Sequence, residues 1–301
     1  MDDELTELLA TGERAAFHGR PSAGVGPLQR AVELAHGAGR PAEATAAVWL
    51  LGVCLGAGGR YGQALTVLHP LAAADQPEPE RRLFSSLAAA TVASVHRQLG
   101  RHTDGRDWDQ RAQALAGSAP EAAFDAALGL ASDAIGLGQA DNAQELLTQA
   151  QALAQGRAEW WRQRVRLDWV RAELALLTDR PGEAVERATA AVMLAENSGA
   201  PRHVAKSLLF TGIAQVQTGD LDEAVVSLRR AAGLAESLGA VPLVWPARAV
   251  LGALISATAP AEGAKALESA RAVVRQIATD LPEPYAQDWL ARQDIAALLA
   301  A

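Results

Sequence analysis

The sequence predicts an all-α protein, a right-handed solenoid of about seven helical hairpins with a capping helix at the C-terminus. Two small residues lie twelve positions apart, and this pair recurs seven times at intervals close to 40 residues. Ala and Leu, which favour helices, dominate the chain, whereas aromatic residues make up only 4% of it. A turn signal separates the two members of each pair. These three observations predict repeated helix-turn-helix units.

All fourteen positions of the small pairs hold Gly or Ala. We expect the first member in the first helix of each hairpin and the second member in the second helix, because small residues let paired helices approach to about 8 Å. The first members are Gly12, Gly52, Ala93, Ala131, Ala172, Gly212 and Gly252. The second members are Gly24, Ala64, Gly105, Ala143, Ala184, Ala224 and Ala264.

Each predicted turn contains a residue suited to ending a helix. Gly or Asp tolerates the left-handed conformation that closes a helix, and a following Pro prevents its continuation. The turn positions are Gly19, Gly59, Gly100, Gly138, Asp179, Gly219 and Ala259. Apolar or small residues four and seven positions after the second small residue, such as Leu68 and Leu71, predict the buried face of each second helix. In the seventh repeat Glu268 and Arg271 occupy these positions, so we expect that face to degrade.

The array is predicted to span residues 1–282, because Pro282 and Pro284 interrupt the helical pattern there. A last helix is predicted from about Tyr285 to Ala300, within a C-terminal segment of residues 283–301. We expect it to cap the exposed end of the array. The alternative is that this helix docks onto a partner.

The repeat resembles the tetratricopeptide repeat (TPR) from about residue 5 to residue 276. Gly52, Gly59, Tyr61 and Ala64 match the positions at which that family places small residues, the turn glycine and an aromatic residue. The interval differs, since the usual TPR has 34 residues. The longer unit is similar to the helical arrays of maltose-regulator-like and antibiotic-regulator-like bacterial proteins and of kinesin light chains. The resemblance implies a solenoid whose concave face binds a partner.

The composition bounds the class of partner and the location. A formal charge of −8 argues against general affinity for nucleic acid, whose phosphates require a basic surface. The acidic start at Asp2, Asp3 and Glu4 does not resemble a signal peptide, and no apolar run approaches the length of a membrane span. We therefore expect a cytoplasmic protein that does not associate with membranes. The single cysteine, Cys54, lies in an apolar run and is expected to be buried.

The sequence shows no catalytic or cofactor motif, so we expect no enzyme activity, no cofactor and no metal site. The six histidines are scattered without the spacing of metal ligands. Acidic residues at Asp104, Asp107 and Asp109 do not follow the calcium-binding loop pattern. We interpret them as residues at the start of a helix, where carboxylates are favoured.

Candidate binding residues concentrate in the fifth and sixth repeats, where the first helices carry cations beside tryptophan. In the resembled family, first-helix residues one position after the apolar anchors line the concave groove. Residues of that kind at spacings of 3, 4 and 7 share one helix face. The alternative is that Trp160 and Trp161 pack between helices and the arginines are solvated. The predicted groove residues are Trp49, Arg162, Arg166, Trp169, Glu173, Arg202, Lys206 and Leu209.

Taken together, the sequence predicts a non-catalytic scaffold that binds a protein or peptide, with acidic residues or a free C-terminal carboxylate as the expected binding group. The alternative is a module of a bacterial signalling or transcriptional regulator that senses a small molecule or peptide. Whether the chain forms a homo-oligomer, and whether it is free-standing or part of a larger regulator, are left open.

Overall fold

The computed structural model describes residues 2–300, and these residues form sixteen helices and no strand. They divide into two compact units, with the boundary between Arg157 and Ala158. The first unit holds α1 (Asp2–Phe17), α2 (Ser22–Gly37), α3 (Pro41–Ala57), α4 (Tyr61–Ala73), α5 (Pro79–Gln98), α6 (His102–Ala116), α7 (Pro120–Gly136) and α8 (Ala140–Ala154). The second holds α9 (Trp161–Leu177), α10 (Pro181–Asn197), α11 (Pro201–Thr218), α12 (Leu221–Leu238), α13 (Val241–Ile255), α14 (Pro260–Asp280), α15 (Glu283–Ala291) and α16 (Gln293–Ala300).

Consecutive helices pair as hairpins within each unit, and the hairpins stack on one another. In the first unit α1 packs on α2, α2 on α3, and so on to α8, while α1, α3, α5 and α7 also contact in sequence. The second unit repeats this arrangement from α9 to α14, with α9, α11 and α13 in contact. The predicted all-α fold of stacked helical hairpins is therefore confirmed, with four hairpins in the first unit and three in the second. It is the arrangement of a repeat protein, in which each unit buries its faces against its neighbours.

Five of the seven hairpin turns contain a residue in the left-handed region, as the sequence predicted. Asp179 has φ 56° and is the only such residue other than glycine in the described part of the chain. Its φ suits Asp, which tolerates this region better than bulky residues do. The other four are Gly59, Gly100, Gly138 and Gly219. The first and seventh turns differ, since Gly19 does not have positive φ and Ala259 has φ −139°.

Within the hairpins, a leucine of the second helix fills the space above a small residue of the first. A Cβ added to Gly52 would lie 2.4 Å from Cδ2 of Leu68, which is fully buried. A larger residue at Gly52 would displace that leucine, so the packing explains why this column is small. The predicted close crossing is confirmed here and at two further pairs. These are Gly12 with Leu28 and Gly212 with Leu228.

The seventh hairpin is shifted by one residue from the predicted frame. A Cβ on Gly252 would lie 2.8 Å from Cγ of Leu267 and 3.0 Å from the carbonyl oxygen of Gly263. Gly263 is buried and Ala264 is exposed, so Gly263 takes the position predicted for Ala264. The shift arises because the turn of the seventh hairpin is one residue shorter. The second helix α14 begins eight positions after Gly252, whereas α12 begins nine positions after Gly212.

This shift also corrects the expected degradation of the last face. Leu267 and the buried Ala270 take the apolar positions that had been assigned to Glu268 and Arg271. Glu268 is therefore exposed, with 64% of its side chain accessible. Arg271 instead donates a hydrogen bond from Nε to the carbonyl oxygen of Leu298, at 2.9 Å. The apolar face thus continues through α14.

The C-terminal segment forms two short helices, α15 and α16, where the sequence predicted one. Both contact α14. Trp289 is 1% exposed, and its indole Nε1 donates to the carbonyl oxygen of Val274 at 3.1 Å. The Arg292 guanidinium lies 4.8 Å from the Trp289 ring and 5.3 Å from the Trp245 ring, which places a cation over two indole faces. Trp289 is thus the main anchor of this segment.

The interpretation of Asp109 as a residue of the first helical turn is wrong. Only Asp104 of the three predicted acids lies in the first turn of α6. Asp109 lies in the middle of the helix, is fully buried, and takes the position that leucine holds in other hairpins. Cys54 is buried as predicted, with 1% exposure.

The shifted register predicts that Gly263→Val destabilises the chain and that Ala264→Val does not. At Gly263 an added Cβ would lie within 3.1 Å of Ser256 and of the Gly252 carbonyl oxygen. We expect overpacking there to cost about 1–3 kcal/mol and the exposed neighbour to change stability by less than about 0.5 kcal/mol. Urea unfolding of both variants measures the difference. Equal losses, or a larger loss at Ala264, would contradict the shifted register.

The anchoring role of Trp289 predicts that Trp289→Ala destabilises the second unit by about 3–5 kcal/mol, since a fully buried indole and its hydrogen bond are lost. The matched control is Gln287→Ala in the same helix, because Gln287 is exposed. Thermal unfolding of the two variants gives the comparison. An unchanged melting temperature for Trp289→Ala would show that α15 and α16 do not stabilise the array.

Candidate functional site

The predicted cation-rich stripes lie on α9 and α11, which are the first helices of consecutive hairpins in the second unit. The two helices contact each other directly. Arg162 and Arg166 lie on α9, and Arg202 and Lys206 lie on α11. We call these four residues the cationic cluster. All four residues are partly exposed.

Beneath the cationic cluster, Trp169 joins α9 to α11. Its indole Nε1 donates a hydrogen bond to Oγ of Ser207 at 2.7 Å, and Ser207 donates in turn to the carbonyl oxygen of His203 at 2.9 Å. The imidazole of His203 stacks on the Trp169 ring, with centroids 5.4 Å apart and an interplanar angle of 18°. The Trp161 and His203 rings form a T-shaped contact, with centroids 5.1 Å apart and an interplanar angle of 76°. These contacts fix the separation of the two stripes.

Lys206 lies over aromatic rings. Its Nζ is 4.6 Å from the centroid of Trp169 and 5.6 Å from that of Phe210. A cation at these distances is attracted by the ring faces. The contact holds the ammonium group beside a partly exposed aromatic surface, because Phe210 is only half-buried. The site therefore combines positive charge with an apolar surface.

The pKa of His203 reports the electrostatic character of the site. Burial lowers this pKa well below its ordinary value of 6.5, and the four members of the cationic cluster lower it further. His203 is 3% exposed, and its Nδ1 has no hydrogen-bond partner. The four cations that disfavour a proton on His203 create a positive potential in this part of α9 and α11. The imidazole is therefore a neutral spacer within a positive surface.

The other predicted residues have different environments. Trp169 and Leu209 belong to the buried core of the second unit, at 7% and 6% exposure, and Glu173 is half-buried. Trp160 is also buried, at 6%, as the packing alternative expected, whereas Trp161 is half-buried. The Trp169 indole, which we expected to contact a ligand, is therefore buried and lies below Lys206.

Trp49 lies on α3 in the first unit. Its ring contacts Phe17 and Phe84 at centroid distances of 6.2 and 5.8 Å. Its Nε1 donates to Oγ1 of Thr91 at 3.2 Å. Trp49 and Trp169 thus share one structural device, an indole that bonds a hydroxyl on the next first helix. The Trp49 ring is half-buried and lies among aromatic side chains.

Sequence reasoning missed His203, Ser207 and Phe210 as members of the site. The signal was their spacing on α11, since Ser207 follows His203 by four residues and Phe210 follows Lys206 by four. This spacing places Phe210 on the same helix face as Lys206, and it places His203 and Ser207 together on a buried face of α11. Their partner Trp169 is 38 residues from Ser207 in sequence, and this contact has no local signature.

Chemically, three guanidinium groups and one ammonium group can grip an oxyanion through charge-assisted hydrogen bonds, and guanidinium suits carboxylate or phosphate in a bidentate manner. Among residues 2–300 no group of three or more His, Cys, Asp or Glu side chains has the geometry to hold a metal ion. Within the same residues no helix combines the length and apolar character needed to cross a membrane.

No protein-family model matches the sequence, and comparison with curated proteins gives no match. Solved structures of similar fold exist. A Rap protein complexed with competence and sporulation factor has a TM-score of 0.65 at 12% identity, over 99% of this chain and 80% of that one. The APC/C hetero-tetramer Cut9–Hcn1 has a TM-score of 0.55 at 15% identity, over 95% of this chain and 55% of that one.

A third similar structure is a signal transduction ATPase with numerous domains from Pyrococcus horikoshii, which has a tetratricopeptide repeat sensor. Its TM-score is 0.53 at 12% identity, over 91% of this chain and 42% of that chain. This chain therefore spans less than half of that protein. Identities this low concern the fold alone. The chain has the TPR-like helical-repeat fold that the sequence predicted.

Proposed function

We propose that this chain is a non-catalytic, cytoplasmic scaffold that binds an acidic segment of a protein or peptide at the cationic cluster. The observation that carries the proposal is the placement of four cations on the contacting helices α9 and α11, with Lys206 Nζ 4.6 Å from the Trp169 ring, in a protein of formal charge −8. A local positive surface on an acidic protein favours an anionic ligand, because the field of the remaining surface repels it elsewhere.

The fold supports a binding role. Stacked helical hairpins present extended surfaces made from successive helices, and proteins of this kind use them for recognition. The similar Rap structure contains competence and sporulation factor, and the similar Cut9 structure contains Hcn1. This chain has a similar helical-repeat fold at low identity. A bound protein or peptide is therefore the occupant that we propose.

The binding group that fits is a carboxylate, from an acidic side chain or from a free C-terminus. Guanidinium groups of Arg162, Arg166 and Arg202 supply paired donors of the kind that carboxylates accept. An apolar side chain next to that carboxylate would contact Phe210 and Trp161, both half-buried. Trp169 contributes indirectly, since it supports Lys206 from below. Charge and apolar contact together would provide affinity and register.

A second candidate is a sensor module of a signalling protein. It is favoured by the likeness to the ATPase with a tetratricopeptide repeat sensor, of which this chain spans 42%. In that case the same cationic cluster would bind an anionic small molecule or peptide, and a partner domain would respond to the binding. Retention of an anionic metabolite through purification would favour this candidate over the scaffold.

The proposal predicts that Arg166→Gln combined with Lys206→Gln weakens binding of an acidic probe, a fluorescein-labelled peptide of glutamates with a free C-terminal leucine. We expect a loss of about tenfold or more, because charge-assisted hydrogen bonds contribute about 1.5–3 kcal/mol. Fluorescence anisotropy of the labelled peptide measures the affinity at fixed salt concentration.

Arg164→Gln is the matched control for this experiment. Arg164 lies on α9 between the two cluster arginines but is exposed on a different face. The Arg164→Gln substitution removes one positive charge from the same helix, so a general charge effect would weaken binding in the control as well. Equal affinities of the double variant and the wild type, with circular dichroism unchanged, would refute the proposed site.

A further inference from the structure

The third and fourth hairpins contain a buried polar cluster where the other hairpins have leucine or alanine. Asp109 on α6 takes the column position held by Leu28, Leu68 and Leu228 in other hairpins. Asp133 on α7 and Arg97 on α5 complete the group, which we call the carboxylate cluster. Both aspartate side chains are fully buried, and 15% of the Arg97 side chain is exposed.

Both carboxylates contact the same nitrogen. Nη1 of Arg97 donates to Oδ2 of Asp109 and, at 3.0 Å, to Oδ2 of Asp133. The same nitrogen lies 3.4 Å from the carbonyl oxygen of Gly129. The two carboxylates are therefore neighbours, and both accept hydrogen bonds from one guanidinium group. The cluster ties α5, α6 and α7 together at a single point.

The surrounding backbone is shaped to admit these side chains. A Cβ added to Gly129 would lie 2.2 Å from Oδ2 of Asp109, and one added to Gly105 would lie 2.7 Å from Oδ1 of Asp133. Each buried carboxylate thus occupies space that any larger residue would fill. A Cβ on Gly136 would likewise lie 2.2 Å from the ring of His102. The absence of side chains at these glycines therefore leaves the space that the polar side chains occupy.

The charges of the cluster do not balance when both carboxylates are ionised. Two negative groups then face one positive group, and Oδ1 of each aspartate has no hydrogen-bond partner. A net charge that is buried away from water costs free energy. Two adjacent buried carboxylates lower that cost by sharing one proton. With that proton the cluster is neutral, because one carboxylate pairs with Arg97 and the other is a neutral acid.

A route to solvent adjoins the cluster. Nδ1 of His102 lies 3.6 Å from Oδ1 of Asp133, and 27% of the His102 side chain is exposed. His102 lines a surface cavity of about 300 Å³ together with Arg101, Thr103 and Asp104. Charged and titratable groups near the cluster include Arg97 and His96 from α5, Arg101 just before α6, His102 and Asp104 from α6, and Asp133 from α7.

We propose that the carboxylate cluster is a proton-operated switch that controls how tightly α6 packs between α5 and α7. With its proton the cluster is neutral and the three helices are held together. Without it, two carboxylates repel each other in a buried space, and the contact between the third and fourth hairpins loosens. The surface cavity lined by His102 is the side from which solvent would reach the cluster.

The pKa of Asp109 supports this direction. Burial raises it well above its ordinary value of 3.8, Arg97 opposes the rise, and the neighbouring Asp133 adds to it. The folded chain therefore keeps a proton that the unfolded chain releases at the same pH. Asp109 therefore contributes most to stability at low pH. This contribution declines as the pH rises from the pKa of Asp109 in the unfolded chain through its higher pKa in the folded chain.

The histidines act in the opposite direction, so a variant is needed to isolate the cluster. Burial lowers the pKa of His96 to about 4, and burial also lowers that of His69. These groups make the chain more stable as the pH rises towards 6.5. Because they are present in wild type and variant alike, their contribution cancels in the comparison of the two.

The test compares urea unfolding of the full-length wild type with Asp109→Asn between about pH 5 and about pH 8. We expect the wild-type unfolding constant, relative to that of the variant, to rise by up to about tenfold for each pH unit in which only the folded chain holds the proton. Asp141→Asn is the control, since Asp141 is exposed on α8. Asp133→Asn is the second cluster variant if Asp109→Asn does not fold.

Hydrogen exchange of the wild type locates the effect. Corrected for intrinsic exchange rates, protection of α6 and α7 should fall with rising pH in the wild type and not in the cluster variant. Parallel pH profiles of wild type and both cluster variants, or a protection change that spares α6 and α7, would overturn the proposal.

Discussion

The structure depends on one steric constraint, the close contact between a small residue on the first helix of a hairpin and a leucine on the second. At Gly52 and Gly212 the space that a Cβ would fill is occupied by Leu68 and Leu228. This contact sets the distance between the paired helices, and stacked hairpins then bury continuous faces. With the helices fixed, side chains on successive first helices form the surfaces available for binding.

The cationic cluster shows how packing positions function in this fold. Trp169 is a core residue, yet through Ser207 it fixes α11 against α9, and its ring lies below Lys206. The buried imidazole of His203 occupies the middle of the arrangement. A surface with this construction has its charges in place before a ligand arrives, which reduces the entropy lost on binding.

Much of the fold could be predicted from the sequence, because the small-residue columns recur with every hairpin and six of the seven turns carry Gly or Asp. The register of the seventh hairpin could not, since Gly263 and Ala264 are both small and the shorter turn has no residue signature. The stripes of Arg162 and Arg166 could be predicted because they follow helical spacing. Contacts made by His203 and Asp109 could not, because their partners lie on other helices and leave no local pattern in the chain.

The central functional claim is that an anionic ligand binds at the cationic cluster of α9 and α11. The most direct test is ¹⁹F NMR of the chain labelled with 5-fluorotryptophan, with each resonance assigned by Trp→Phe substitution. On titration with a glutamate-rich peptide, the account predicts that the resonances of Trp161 and Trp169 move while those of Trp108 and Trp289 stay. Movement confined to Trp108 or Trp289, or no movement at saturating peptide, would contradict it.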